Sequence, residues 1–328
     1  MASIIWHVLT NKEFWESAQI EQNLAKHSKC DSDVTLEGKV AIVTGGTAGI
    51  GKECVRDFVK RGAKVIIPCR EMKKGEAVKL EIENDTCSFG KIILMNMDLS
   101  SMESVRKFAK QFRKREDRLD ILLNNGGIIN ALKSHTKDGF ESILATNSLS
   151  HFLLTHLLFD LLKKSSPSRV VNVSSSGHYA ATDMMFDDFQ IFQGCWKPSD
   201  FYLYCRSKAA NVMYAVEWQR RHPNSGVTFY SCHPGAVRTE IFRNYNLSNE
   251  FIGFLMYKTL DCWNPLLKHG KTPVQGAQTP IYCCIQRGLE SQAGLYFTEC
   301  EVSEMSTLAQ NIEVREKLWN ITRETLNI

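Results

Sequence analysis

From Val40 onward, short apolar runs alternate with longer stretches in which apolar residues return every three or four positions. The runs are Val40 to Val43, Val65 to Pro68, Ile92 to Met95, Ile121 to Leu123, Val170 to Val173 and Val227 to Tyr230. Such short, continuous runs predict strands buried on both faces, and the helix-length spacers predict crossover connections between them. The pattern is that of an α/β domain whose parallel sheet is covered on both sides. The first spacer carries Cys54, Val55, Phe58 and Val59 on one helical face and stops at Gly62, a residue suited to ending a helix.

Two stretches invite other readings. Arg106, Lys107, Lys110, Arg113, Lys114 and Arg115 form a basic run, but Val105, Phe108, Ala109 and Phe112 interleave with them at helical spacing. This predicts the solvated face of an amphipathic helix. The segment from Ser148 to Lys164 is apolar around much of its circumference, interrupted by His156 and Asp160. It is shorter than the ~20 apolar residues a membrane span needs, so it reads as a buried helix or as the face of a homodimer.

A chain of 328 residues, 43% of them apolar, can bury a large core in one sizeable domain. The expected organisation is an N-terminal extension over 1–36, the domain over 37–300 and a helical tail over 301–328. The net charge of +4 is a small difference between 40 basic and 36 acidic residues, so no global field points to nucleic acid as a partner. Eleven cysteines stand without CxxC pairs or zinc-site spacing, and Cys54, Cys69 and Cys232 lie inside apolar segments. They are expected to be free core thiols in a reducing, intracellular compartment, with no metal. An apolar patch at Ile4, Ile5, Trp6, Val8 and Leu9 is too short to cross a bilayer. It is expected to lie on a membrane, such as the cytosolic surface of an organelle, or to dock on the domain.

Directly after the first strand comes Thr44-Gly-Gly-Thr-Ala-Gly-Ile-Gly51. Glycines at this turn let the backbone approach a pyrophosphate, and the following helix aims its N-terminus at the charge. The second strand ends near Cys69-Arg70-Glu71. An acidic residue there would hold the ribose of NAD(H); Arg70 instead offers a fork suited to a 2′-phosphate and favours NADP(H). A shift of one residue would put Glu71 in its place, which keeps NAD(H) open.

With these motifs the chain resembles the short-chain dehydrogenase/reductase family. The matching residues are Thr44-Gly45-x-x-x-Gly49-Ile50-Gly51, Asp98-Leu99, Asn124-Asn125-Gly126-Gly127, Asn147, Asn172-Val-Ser-Ser175, Tyr204-x-x-Ser207-Lys208 and Pro234-Gly235-Ala-Val-Arg-Thr239. They occur in the family's order across about residues 38 to 300. Cys69-Arg70-Glu71, the run His233 to Glu240 and Lys271 to Gln278 look like its retinol dehydrogenase branch. The resemblance implies a single Rossmann-type, doubly wound domain with a mostly parallel seven-stranded sheet flanked by helices. It implies a cofactor held by Gly45, Thr47, Gly49, Ile50, Gly51, Arg70, Asp98, Leu99, Asn125, Gly127, Tyr204, Lys208, Pro234, Gly235, Val237 and Thr239. It also implies catalysis by Tyr204 with Lys208, Ser175 and Asn147.

The residues themselves support that chemistry. Hydride transfer at a carbonyl carbon needs a matching proton at the oxygen, and a tyrosine supplies it if its pKa of about 10 is brought nearer neutrality. Lys208 lies four residues after Tyr204, so in a helix both side chains share a face, whereas Tyr202 is followed at that spacing by Arg206. A shift of three units represents about 4 kcal/mol, which calls for a partly desolvated pocket. Ser175 follows the fifth strand, where it can bond a developing oxyanion; Ser174 and Ser176 compete, and the family match selects Ser175. Asn147 resembles the family's helix-bending asparagine, which helps hold a water-linked proton path to the lysine.

Three departures stand out. Gly126 replaces the family's usual alanine, which is expected to loosen the turn beside the nicotinamide. Ser148-Leu-Ser150 and Ser176-Gly177-His178 also differ from the branch pattern. In the family, the stretch over about 241–270 covers the substrate cleft, and here it carries Phe242, Tyr245, Phe251, Phe254, Leu255 and Trp263 among others. Such a lid suggests a small lipophilic alcohol or carbonyl, a retinoid, polyprenoid or fatty aldehyde; an ordinary packed helix and a membrane-facing patch are the other readings. The rival function is a nucleotide-binding scaffold without turnover, against which the intact Tyr204, Lys208 and Ser175 argue.

Overall fold

Eight strands form one sheet in the order β3-β2-β1-β4-β5-β6-β7-β8. They are β1 Val40–Val43, β2 Lys64–Cys69, β3 Ile92–Asn96, β4 Ile121–Asn124, β5 Ser168–Val173, β6 Val227–His233, β7 Tyr296–Thr298 and β8 Glu301–Ser303. These come from a computed structural model that describes residues 28–129, 135–188, 199–238 and 270–328. Every neighbouring pair is parallel except β7 with β8, which run antiparallel. The six apolar runs form the first six strands, and burial of all but the partly exposed edge strand β3 explains why they carry no polar alternation.

The eighth strand corrects the expected seven, and it occupies the first residues of the expected helical tail. Glu299 and Cys300, with φ of 51° and 61°, reverse the chain tightly after β7. Glu301–Ser303 is largely exposed and lacks an apolar run, so nothing in its sequence marks a strand. The domain's core also begins before residue 37. Cys30 and Leu36 are buried, and the Arg61 guanidinium donates to the Ser32 and Val34 carbonyls at 2.7 and 3.0 Å.

One face of the sheet is covered by α1 (Gly49–Lys60), α2 (Met72–Thr86) and α7 (Gln278–Ile285), the last preceded by the short α6 (Pro273–Gly276). Val55, Phe58 and Val59 of α1 are buried there, and the helix closes against Gly62 at φ 99°. The opposite face carries α3 (Met102–Arg115), α4 (Ser150–Lys164) and α5 (Asp200–Arg221). Val105, Phe108, Ala109 and Phe112 bury the inner side of α3 and leave its cations outward, as the periodicity predicts. In α4, Phe152, Leu153, Leu154, Leu158 and Leu162 are buried within this protomer, so the helix belongs to its core. Among the described residues no helix is long and apolar enough to cross a membrane. Cys54, Cys69 and Cys232 are buried free thiols.

The C-terminal α8 (Thr307–Gln310) and α9 (Ile312–Leu326) pack on this second face and bear on α5. The Trp319 ring meets Phe152 at 4.9 Å and Trp218 at 5.0 Å, with the Arg221 guanidinium 4.7 Å above it. Arg315 reaches the buried Glu217 at 3.3 Å, and the Tyr214 hydroxyl pairs with Thr322 at 2.6 Å. Trp319→Ala is expected to lower stability by about 3–5 kcal/mol through the cavity it leaves. Urea unfolding checks this; a loss below about 1 kcal/mol would place α9 outside the cooperative core.

Candidate active site

Because β1 to β7 are parallel, the loops after their C-terminal ends emerge along one edge of the sheet. Chain order reverses between β1 and β4, and such a switch point opens a crevice between the two diverging loops. Residues 44–51 follow β1, Arg70 follows β2, Asp98 and Leu99 follow β3, and Asn125 and Gly127 follow β4. Ser175 follows β5, and Pro234, Gly235 and Val237 follow β6. The topology thus gathers predicted residues scattered over the chain on one edge. Thr239, the apolar stretch 241–267 and the N-terminal patch lie outside the described residues.

The geometry of the first loop suits an anion. A β-carbon on Gly51 would lie 2.4 Å from the Gly45 carbonyl oxygen, and one on Gly45, at φ 66°, would lie 2.8 Å from Gly126 Cα. Only glycines permit this closeness. Ala48 gives α1 no side-chain cap and its first turn holds no acid, so the leading N–H groups and the helix dipole suit a pyrophosphate. Thr47 and Ile50 are partly exposed there, and Arg70 stands exposed beyond β2. Asp98 accepts from the Ser100 backbone and hydroxyl at 2.9 and 2.8 Å, which fixes the turn that carries Leu99.

The second cluster sits on α5 and the loops facing it. The Lys208 Nζ lies 5.5 Å from the centre of the Tyr204 ring and donates to the Val173 carbonyl at 3.0 Å. Burial pushes the Lys208 ammonium down from 10.5 to about 8, against a weaker opposing influence of Cys232. Ser175 Oγ accepts from the Gly177 N–H at 3.1 Å. A β-carbon on Gly177 would lie 3.4 Å from Ser175 Oγ and 3.5 Å from Tyr204 Cε1, so the serine and tyrosine flank this glycine. Asn147 lies in a π-helical turn, Ala145–Leu149, that leads into α4. Its amide is occupied: Oδ1 accepts from Ile128 N at 2.8 Å, and Nδ2 donates to Ile128 O and Ser207 Oγ, each at 2.9 Å. A β-carbon on Gly127 would lie 3.2 Å from Asn147 Oδ1 and 3.6 Å from Lys208 Nζ, so the two clusters meet at Gly127.

A glycine-lined helix N-terminus thus stands near an amine–phenol pair. A family model described as short chain dehydrogenase matches residues 39–185. Retinol dehydrogenase 12 of Bos taurus is 41% identical over 299 residues, which cover 91% of this chain and 90% of that protein. The chain belongs to the short-chain dehydrogenase/reductase family. Retinol dehydrogenase 11 of Mus musculus is 40% identical over 299 residues, again 91% and 90% of the two chains. Among solved structures, the Pseudomonas aeruginosa RhlG/NADP active-site complex shares the fold at TM-score 0.60 and 24% identity, covering 80% of this chain and 95% of its own.

The departures from the short-chain dehydrogenase/reductase pattern have local explanations. Gly126 does not loosen its turn. It is buried, its N–H donates to Thr44 Oγ1 at 2.9 Å, and a β-carbon there would lie 2.6 Å from Leu99 Cδ1. The leucine methyl fills the volume that alanine would need. The Ser148 hydroxyl donates to the Ser207 carbonyl at 2.7 Å and the Ser150 hydroxyl to the Thr146 carbonyl at 2.9 Å, so both serines lock the π-helical turn.

Four contributors lie outside the predicted site residues. Thr44 and His151 bond at 2.9 Å across the β1 loop and α4. His178 Nδ1 lies 2.8 Å from the Ser175 carbonyl, and its Nε2 accepts from Ser306 N at 3.2 Å, tying the serine loop to the C-terminal segment. Gly276 leaves no room beside Val237 and Ile50, where a β-carbon would lie 2.4 and 3.3 Å from their side chains. The run Lys271 to Gln278 had offered only a branch signature; its capping box between Thr272 and Gln275 starts α6, whose Gly276 lies against Val237 and Ile50.

Both imidazoles are fully buried and remain neutral: burial pushes His151 down to about 4 and His178 to about 3, from 6.5. Their folded values lie below the unfolded one, so the unfolded chain takes up more protons as the medium acidifies. Their contribution is fully present above about pH 6.5 and is lost toward pH 4, at up to about 1.4 kcal/mol per pH unit for each ring. Urea midpoints measured from pH 7.5 down to 5 should fall accordingly. Midpoints that stay level over that range would mean that the rings are not buried.

Proposed function

We propose that this chain is an NADP(H)-dependent oxidoreductase that interconverts a lipophilic alcohol and its aldehyde or ketone, with Tyr204 exchanging the proton at the substrate oxygen. The observation that carries the reading is the buried Lys208 ammonium beside the Tyr204 ring, with Ser175 and that ring both bordering Gly177.

The cofactor, once bound, supplies or accepts the hydride. Everything else falls to the chain's own residues. With its oxygen engaged by Gly177, the Ser175 hydroxyl is set to donate to a carbonyl oxygen as charge develops there. Tyr204 gives that oxygen its proton in reduction and takes it back in oxidation. The Lys208 charge favours the phenolate, and burial of the ammonium leaves its field less screened than it would be in water. Asn147 holds the loop after β4 to α5, which keeps Gly127 and Lys208 in register. Support for NADP(H) comes from Arg70, exposed at the end of β2, and from the Pseudomonas aeruginosa neighbour that carries NADP. Support for a lipophilic substrate comes from the retinol dehydrogenase relatives and the apolar composition of 241–267.

Arg70→Ala should weaken NADPH far more than NADH, since a charge-assisted hydrogen bond contributes about 1.5–3 kcal/mol. Titration of both cofactors tests this: equal losses would defeat the assignment, and an NADH preference in the unmutated protein would move it to Glu71.

Tyr204→Phe should leave the fold and NADPH affinity nearly intact and reduce turnover of retinaldehyde and aliphatic aldehydes by at least about 10²-fold. NADPH oxidation by the two proteins is the measurement. A variant that kept most of its activity would defeat the mechanism, and a parent protein that bound NADPH without any turnover would favour the scaffold.

A further inference from the structure

The wiring between the cofactor loop and the lysine runs through a residue outside the predicted set. Thr44 Oγ1 accepts the Asn125 N–H at 2.8 Å and the Gly126 N–H at 2.9 Å. A hydroxyl oxygen offers two lone pairs, and both are used. His151 Nε2, 2.9 Å away, therefore takes the Thr44 proton, for which the Leu123 carbonyl at 3.3 Å is the poorer acceptor. A neutral ring that accepts at Nε2 carries its hydrogen on Nδ1, and Nδ1 lies 3.0 Å from the Asn147 carbonyl oxygen, a pure acceptor. The opposite tautomer would press a third donor on Thr44 and set two lone pairs against each other at Asn147. Only one tautomer satisfies every atom.

We propose that His151 is a positioning residue for the reaction: its Nδ1-protonated ring ties the Thr44 hydroxyl, and with it the Asn125–Gly126 backbone, to the Asn147 main chain, so that the cofactor loop and the Tyr204–Lys208 pair keep one fixed spacing. The ring is buried at the first turn of α4, four residues after Asn147. Asn147 in turn grips Ile128 and Ser207 and lies beside Gly127 and Lys208, so the chain of contacts runs unbroken from β1 to α5. Lys208 is also the charged group that acts on the ring. A misplacement of the order of 1 Å between reacting groups costs about 10²-fold in rate, which is why a tether far from the substrate matters.

The proposal rests on the oxidoreductase reading, and its test separates the two. In the full-length protein, His151→Leu should lower kcat for retinaldehyde by about tenfold or more while KM changes little. NADPH should bind several-fold more weakly. The half-maximal pH of kcat/KM should move upward as the Lys208 charge drifts from Tyr204. His151→Gln, whose amide can still donate and accept, should recover part of each loss. A His151→Leu protein with a lower melting temperature but unchanged kcat, NADPH affinity and pH profile would reduce His151 to packing and overturn the proposal. Should that variant not fold, nitrogen-15 NMR of the histidine-labelled parent decides: a ring protonated at Nε2 overturns the proposal, and one protonated at Nδ1 upholds its wiring. If the parent turns over no carbonyl, the oxidoreductase reading fails, while NADPH affinity and the tautomer still report on the tether.

Discussion

How closely the loops after β1 and β4 approach each other limits everything along the functional edge. At Gly51 a β-carbon would stand 2.4 Å from the Gly45 oxygen and 2.5 Å from Asn125 Nδ2, a crowding no side chain survives. The two loops are therefore backbone packed on backbone, and the Asn125 amide closes the contact by donating to the Thr44 carbonyl at 2.9 Å. That contact sets where α1 begins, and with it where its leading N–H groups stand. It also bears on Gly127, where the loop after β4 comes close to Lys208 of α5.

The amine-bearing helix needs a second support, because α5 presents its working residues near its start and its middle. Glu217, almost fully buried, collects Arg220 at 2.9 Å, Arg221 at 3.0 Å and Arg315 at 3.3 Å, so a carboxylate that would be costly alone is surrounded by donors. Arg315 belongs to α9, and Trp319 one turn later wedges between Trp218 and Phe152. The C-terminal helix thus braces the outer side of α5, while His178 and Ser306 brace the loop that bears Ser175. Both ends of the proposed site lean on residues after 300.

What was legible in the sequence is what a local rule dictates. The apolar runs became strands because burial on both faces requires unbroken hydrophobicity. The glycines at 45 and 51 were legible because the turn tolerates nothing larger, and the one at 49 because the backbone there takes φ 50°. The relation of Tyr204 to Lys208 followed from helical spacing alone. The illegible parts come from distant pairings. Thr44 and His151 are 107 residues apart, and His178 and Ser306 are 128 apart. A buried histidine looks the same in a sequence whether it fills a core or wires two loops. β8 escaped for a different reason: an edge strand paired on one side only needs no apolar run, so Glu301–Ser303 carries none.

The placement of Lys208 shows where stability yields to the proposed chemistry. Its displacement from 10.5 to about 8 corresponds to a burden on the order of 3 kcal/mol on the folded state, present while the group is charged below that pH and gone above the unfolded value. A carboxylate beside the ammonium would relieve that burden. It would also cancel the charge on which the role proposed for Tyr204 depends. The fold holds Lys208 instead by the Val173 carbonyl, a dipole that fixes Nζ without cancelling its charge, and the same carbonyl takes a second donor from Asn211 at 3.2 Å. An ammonium buried among neutral partners is a poor choice for stability. It suits the role proposed for it beside the Tyr204 ring, whose centre lies 5.5 Å from Nζ.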